Sequence, residues 1–165
     1  MTEIERIVRE LEHAHMGNPW HGPSRAAVLA DVSVDEASRR PGANGHSIWA
    51  LVLHMRAWTG EVARRVRGGD PRLPAEGDWP EPPSPSEKAW RAAIAGLEQA
   101  HRDAVAAVRL ATPAKLDERA GTSDDAPIGS GVTYRVMLHG LAQHDAYHTG
   151  QISLLKRLFR DGAAS

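Results

Sequence analysis

The sequence predicts an all-α fold, a four-helix bundle, from three observations. Four long segments carry apolar residues at the helical period of 3.6 residues. Capping signals precede several of these segments, and no alternating strand pattern of useful length interrupts them. Because each amphipathic helix must bury one face, we expect the four to pack together as one domain over residues 1–165.

The first long helix is expected to begin after Thr2, which precedes Glu5 by the three residues of a capping box. Gly17 is expected to end it, because glycine adopts the conformations that terminate helices. Two short helices are expected next, with Ser24 and Ser33 as their caps.

The second long helix is expected to begin after Ser47, and the third to occupy residues 86–111. Between them lies the loop 69–86, which is rich in proline and glycine. Loops of this length are uncommon in compact domains and often line functional sites. After an irregular stretch at 112–131, the fourth long helix is expected to run from Thr133 to Gly162.

Composition and charge narrow the function classes. The 165 residues are 41% hydrophobic with a net charge of −1, which gives no basic field for a nucleic acid or an anionic membrane. No apolar run approaches the ~20 residues of a spanning helix, and the charged N-terminus does not resemble a signal peptide. We therefore expect a cytoplasmic protein with a small-molecule substrate, without nucleic-acid or membrane partners.

Histidine is the side chain of this sequence best suited to bind a transition metal. There are no cysteines, which excludes thiolate metal sites and a cysteine nucleophile, whereas there are nine histidines. His144 and His148 lie four residues apart on the apolar stripe of the fourth helix, so their rings can converge on one point. His54 lies on the inward stripe of the second helix. The pattern predicts a metal site formed by these three histidines.

Two simpler interpretations of these histidines remain open at this stage. A histidine pair spaced by four residues often lies on a solvated helix face, and a single inward histidine is usually a hydrogen-bonded core residue. The case for a metal is that His54 would otherwise be surrounded by apolar side chains without a partner, which costs free energy.

Other residues have candidate roles around this site. Gln151 shares the face of His144 and His148, where it could orient a ligand, or it could be a polar residue at the bundle rim. His21 lies in a rigid loop, and loops at bundle ends often carry polar functional groups. Trp79 lies in the long loop and could cover the site, whereas His139 points about 140° away from His144 and should not bind the same metal.

Three segments together resemble a known family. They are "WHGPS", "HSIWALVLHMRAW" and "LHGLAQHDAYHTGQISLLKR". They look like the DinB family of damage-inducible-type proteins, which includes the YfiT-like group described as metal-dependent hydrolases. The resemblance implies an up-down-down-up bundle with a three-histidine divalent metal site, whose ligands here are His54, His144 and His148. The resemblance also makes His21 a candidate for the site entrance. His21 and Gln151, the latter from its place on the face of His144 and His148, are the candidate catalytic residues.

The resemblance also implies a range of reactions. Relatives include bacterial thiol transferases of the bacillithiol and mycothiol type and a thiol-dependent maleylpyruvate isomerase. Our first hypothesis is a transferase that joins a low-molecular-weight thiol to an electrophilic small molecule. The alternatives are a hydrolase using metal-activated water, a metal- or ligand-binding stress protein without turnover, and a bundle with incidental histidines. Zinc suits three nitrogen ligands best, with nickel, manganese or iron as alternatives, and relatives suggest a homodimer.

Overall fold

The computed structural model describes residues 1–122 and 129–162. Seven helices make up its regular structure: α1 (Glu3–Met16), α2 (Arg25–Leu29), α3 (Val34–Ser38), α4 (Ile48–Val66), α5 (Glu87–Leu110), α6 (Pro113–Asp117) and α7 (Tyr134–Asp161). Over the described ranges there is no strand, and a single antiparallel bridge pairs Arg119 with Thr133. The prediction of an all-α fold is confirmed.

Side-chain caps begin most of these helices where the sequence predicts them. At α1, the Thr2 hydroxyl accepts a hydrogen bond from the Glu5 amide at 3.2 Å, and the Glu5 carboxylate accepts one from the Thr2 amide at 2.6 Å. Ser33 and Glu36 form the same capping box at α3. Ser24 precedes α2 as predicted, but its side chain makes no capping hydrogen bond. Single side-chain caps begin the three other long helices: Ser47, Ser86 and Thr133.

The two irregular connections differ in how well the sequence predicts them. The loop between α4 and α5 contains no helix, as expected. The stretch 112–131 contains a short helix, α6, that the sequence analysis missed; its residues 123–128 lie outside the described part of the chain. Five residues are too few to show a helical period, but Thr112 caps α6 and Pro113 occupies its first turn, which is a recognisable local signal.

The long helices pack in pairs. Helix α4 contacts α5 and α7, and α1 contacts the same two helices, while α2 lies on α1 and α7. Helix α7 therefore contacts both α1 and α4. The up-down-down-up order of the helices stays a prediction. None of the described helices combines the length and the apolar character needed to cross a membrane.

Two hydrophobic clusters fill the interior, and the predicted metal ligands lie between them. Along α7 the first cluster ends at Leu141 and the second begins at Ile152. His144 and His148 lie between these two residues in sequence. Along α4 the second cluster ends at Met55, directly after His54, and the residues of the first cluster begin at Val62. The fold thus places polar side chains in a layer between two apolar ones.

Candidate metal centre

The three histidines predicted as ligands come together between α4 and α7. The Nε2 atom of His144 lies 3.0 Å from that of His54 and 3.1 Å from that of His148. One candidate ligand atom from each ring falls within 4.8 Å of the other two. His54 and His148 are buried and His144 is partly exposed. Such spacing can accommodate one ion, since a zinc–nitrogen bond spans about 2.0–2.1 Å.

Hydrogen bonds at the far side of two rings fix which nitrogen faces the centre. The backbone carbonyl of Asp78 lies 2.6 Å from Nδ1 of His54, and Oε1 of Gln151 lies 2.7 Å from Nδ1 of His148. Oxygen atoms of this kind only accept, so both rings carry their proton on Nδ1. Their Nε2 lone pairs are therefore directed at the centre, as in metal-binding histidines held by an outer partner.

Because His54 and His148 carry their protons on Nδ1, at most one of the three Nε2 atoms, that of His144, carries a hydrogen. His144 can donate one Nε2 proton to only one neighbour, so at least one close contact sets two lone pairs against each other. Its own Nδ1 is buried without a hydrogen-bond partner among the described residues. A cation between the rings would relieve this repulsion.

Protonation of His144 or His148 does not supply that cation at neutral pH. Burial, followed by the neighbouring His148 and His54, lowers the pKa of His144 to about 3. Burial also lowers the pKa of His148, although its hydrogen bond with Gln151 acts in the opposite direction. Neutral imidazoles are the form that binds metals, so the donor set fits a divalent metal ion.

The long loop covers one side of this centre through Asp78 and Trp79. Trp58 donates its indole N–H to the Asp78 carboxylate at 2.7 Å, which anchors the loop to α4. The Trp79 ring stacks on His54 at a centroid distance of 3.9 Å and on His46 at 3.6 Å, with interplanar angles of 11° and 6°. Trp79 thus lies over the site as expected, while the contributions of Asp78 and His46 were not predicted. A glycine- and proline-rich loop has no period from which such contacts could be inferred.

A small cavity reaches His144 on another side. It has a volume of about 200 Å³, and its described lining is Trp58, Val62, Arg65, Gly129, Val132, Met137, Gly140, Leu141 and His144. Most of these side chains are apolar, and none is a carboxylate. The Arg65 guanidinium donates to the Glu61 carboxylate at 2.9 Å, so its charge is balanced within α4. The cavity therefore suits a small apolar group beside the histidines.

The two other candidate residues have different outcomes. Gln151 contacts His148 and so positions a predicted ligand. His21 is exposed and lines a different cavity, between α1 and α7, together with His139. Within the described residues, no hydrogen bond or ring contact joins His21 to the three histidines, so the structure does not bring this candidate to the centre. His139 instead contacts Glu3 and Glu10 at 3.0 and 2.8 Å, and it lies apart from the three histidines as predicted.

A second buried polar cluster was missed by the sequence analysis. The Arg25 guanidinium of α2 donates to the Asp145 carboxylate at 2.5 Å and to Nδ1 of His15 at 3.1 Å. The His15 ring lies 4.2 Å from the ring of His101. A signal existed, because Asp145 follows Leu141 by four residues on the buried stripe of α7. A charge at such a position indicates a buried partner.

The comparisons with known proteins agree with this architecture. A family model described as the DinB superfamily matches residues 25–152, a range that includes the three histidines and the loop that covers them. Neither the comparison with curated proteins nor that with solved structures gave a match. Because the matched range is well over half of the chain, the protein belongs to the DinB superfamily.

Proposed function

We propose that this chain is a metal-dependent enzyme in which His54, His144 and His148 hold a divalent ion, with zinc as the first candidate and nickel, manganese or iron as alternatives. The observation that carries the proposal is the convergence of three Nε2 atoms, two of them on rings whose Nδ1 protons are already bound by acceptors. A polar layer of this kind suits the predicted up-down-down-up bundle, whose facing helices would supply the ligands.

The number of ligands favours catalysis over a purely structural role. Structural zinc sites have four protein ligands, whereas catalytic sites have three and keep one position open. When bound by three neutral imidazoles, a divalent ion supplies an uncompensated positive charge that favours the thiolate form of a thiol or the ionisation of water. Gln151 and the Asp78 carbonyl hold the rings of His148 and His54 in a fixed orientation. Trp79 excludes water from the side of the centre that His54 forms.

Thiol transfer is the reaction that we favour. The chain contains no cysteine, so the nucleophilic sulfur would come from a second substrate. Among the described residues that line the cavity beside His144, there is no carboxylate that could serve as a general base for water. In the proposed reaction the thiol sulfur forms a bond to an electrophilic carbon of a small apolar substrate as the bond from that carbon to its leaving group breaks. The leaving group departs as an anion with the bonding electron pair, and the thiol proton passes to solvent. A cytoplasmic location, which we also propose, would supply reduced thiols.

The test is turnover of an electrophile by protein purified without an affinity tag and loaded with one metal at a time. Monobromobimane is a suitable probe because its fluorescence appears when a thiol carbon–sulfur bond forms. We expect metal-dependent conjugation with a low-molecular-weight thiol, and no acceleration by the chelated protein. Acceleration that is equal with and without metal would overturn the proposal. Consumption of ester substrates without thiol would indicate hydrolysis, and tight metal binding without either reaction would indicate a binding protein.

A further inference from the structure

A separate cavity lies between α1 and α5, where the rings of His15 and His101 form part of its wall. We refer to it as the α1–α5 cavity. Its volume is about 460 Å³, which is in the range of small-molecule sites. None of its described lining residues also lines the cavity beside His144, so the two cavities are distinct.

The ring of His15 offers a hydrogen-bond donor to this cavity. Arg25 donates to Nδ1 of His15 at 3.1 Å. A guanidinium cannot accept a hydrogen bond, so Nδ1 is unprotonated and the ring proton is on Nε2. Arg25 lines a different cavity, which His15 also reaches, and it does not line the α1–α5 cavity. Because the Nδ1 edge of the ring is turned toward Arg25, the opposite edge with its Nε2–H is the one available to the α1–α5 cavity.

The ring of His101 offers a second donor beside the first. The two ring centroids are 4.2 Å apart, and the planes are tilted by 37°. His15 and His101 are only 8% and 5% exposed. Within the described chain, no hydrogen bond uses Nε2 of His15 or either nitrogen of His101. Since buried polar groups normally have a partner, these two rings are prepared for an acceptor that enters the cavity.

The charged residues of the cavity leave one positive charge uncompensated. Arg109 donates to the carboxylate of Glu12 at 2.6 Å, so these two charges balance. Arg102 donates instead to the neutral amide oxygen of Gln99 at 2.7 Å, and no described carboxylate pairs with it. The guanidinium of Arg102 is therefore free to compensate the charge of an anion at the cavity.

The same positive charge acts on the two rings and disfavours a metal ion. Burial lowers the pKa of both His15 and His101, and the charges of Arg25 and Arg102 lower it further. Asp145 compensates the charge of Arg25, whereas that of Arg102 has no such partner. The rings are thus neutral hydrogen-bond donors in a positive field, which attracts anions and repels cations.

We propose that the α1–α5 cavity binds a small organic carboxylate, whose oxygens accept hydrogen bonds from His15 and His101 and whose charge pairs with Arg102. Charge-assisted hydrogen bonds of this kind are stronger than those between neutral groups. Met16 and Val105 line the cavity as well and supply apolar contact for the carbon skeleton of the ligand. A single uncompensated charge matches a monocarboxylate better than a phosphate dianion.

Calorimetric titration of the full-length protein tests the ligand class. Benzoate and hexanoate serve as aromatic and aliphatic probes, and benzyl alcohol is the uncharged compound of similar size. We expect a carboxylate to bind at least about tenfold more tightly than benzyl alcohol, because hydrogen bonds to a charged group are worth about 1.5–3 kcal/mol. No binding of either carboxylate at millimolar concentrations would overturn the proposal. Equal binding of benzyl alcohol, or tighter binding of inorganic phosphate, would also contradict it.

Charge-removing variants on α5 test the position of the site. Arg102→Gln should weaken carboxylate binding by about tenfold or more with unchanged helical circular dichroism, since this side chain is exposed. Lys88→Gln is the matched control, because it removes the same charge from an exposed position of α5 that does not line the cavity. It should leave the affinity unchanged, and equal weakening by both variants would show that only net charge matters.

A third variant separates this site from the proposed metal centre, because carboxylates also bind metal ions. His148→Ala should bind the carboxylate as the wild type does, since His148 does not line the α1–α5 cavity. Binding that is lost in His148→Ala and kept in Arg102→Gln would place the carboxylate at the metal centre and overturn the inference. Metal content, measured in parallel on all variants, reports on the proposed function independently.

Discussion

Two histidine clusters lie against helix α7, and they differ in whether they contain their own cation. In the metal-centre cluster, three imidazoles direct Nε2 atoms at one another. In the second cluster, the guanidinium of Arg25 lies between His15 and the Asp145 carboxylate and donates to both. Both clusters are on apolar helix faces. The comparison shows that burial of histidine is not itself a sign of metal binding; the orientation of the lone pairs is.

In the second cluster, most charges and hydrogen-bonding groups have a partner within the cluster, without any added ion. Arg25 and Asp145 are almost completely buried, with side chains only 1% and 2% exposed. Their opposite charges compensate one another, and His15 accepts a hydrogen bond from the same guanidinium. In the first cluster no described residue provides an equivalent donor. Changes in the two clusters should therefore have different consequences.

The largest expected effect is loss of metal from His148→Ala. This change removes one of three ligands and leaves the other two too few to retain an ion against a chelator. Thermal stability of the wild type should rise with added metal, because a ligand bound only by the folded state stabilises it, and that rise should disappear in the variant. Metal content by mass spectrometry and melting curves with and without chelator measure both effects.

His101→Ala is the matched control for this change. It also truncates a buried histidine, but one that belongs to the second cluster. We expect it to keep the metal stoichiometry of the wild type and to lose only the stability that follows truncation of a core side chain. Equal metal loss from the two variants would show that burial, and not ligand orientation, controls binding.

The next effect in size is loss of folding stability from Arg25→Met. Removing one member of a buried ion pair leaves Asp145 without its partner and typically costs about 3–5 kcal/mol. Arg25→Met combined with Asp145→Leu should recover much of that loss, because the uncompensated carboxylate is then absent as well. Urea unfolding of the chelated protein gives both values. A single variant as stable as the wild type would show that Asp145 does not need Arg25.

Features set by residues close together in the sequence could be predicted from the sequence. His144 and His148 are four residues apart on one stripe, so a local spacing was enough to place them together. Joining them to His54 needed only the assumption that α4 and α7 face each other. Helix starts such as Thr2 were predictable for the same reason, because a capping box is contained within four residues.

Contacts between distant segments with no regular period were not predictable. Arg25 and Asp145 are 120 residues apart, and Arg25 lies in a helix of five residues whose buried face cannot be assigned from spacing. Asp78 contributes to the centre through a backbone carbonyl, which every residue carries and which leaves no trace in the sequence. His21 was a candidate because of its loop and the family resemblance, but the folded chain places it at a cavity between α1 and α7.

The smallest effect that we predict is a pH dependence of stability from the second cluster. Burial, followed by Arg25 and Arg102, lowers the pKa of His15 to about 4. Burial, followed by His15 and the same two arginines, lowers the pKa of His101 to about 3. In the unfolded chain both groups titrate near pH 6.5. Below that pH the unfolded state binds protons that the folded state does not, so stability falls as the pH drops.

His101→Phe isolates one of these two contributions. Each histidine contributes at most ~1.4 kcal/mol of destabilisation per pH unit between about pH 6 and pH 4. The variant should therefore lose stability less steeply than the wild type over this range, by up to that amount, while the two curves run parallel above pH 7. Unfolding in urea at several pH values, with chelator present so that metal release does not contribute, gives the slopes.

His139→Gln is the control with the opposite sign. Burial alone would lower the pKa of His139, but its hydrogen bonds with Glu3 and Glu10 outweigh burial and raise it. Its contribution to stability is therefore complete below pH 6.5 and is lost as the pH rises through the folded-state pKa. Replacing His139 should therefore reduce the free energy of unfolding more at pH 6 than at pH 8. His101→Phe, by contrast, should change the free energy of unfolding by the same amount at pH 7 and at pH 8. If His101→Phe left the acid slope unchanged, the pKa of His101 would not be lowered in the folded state, and its ring would not be the neutral imidazole that burial implies.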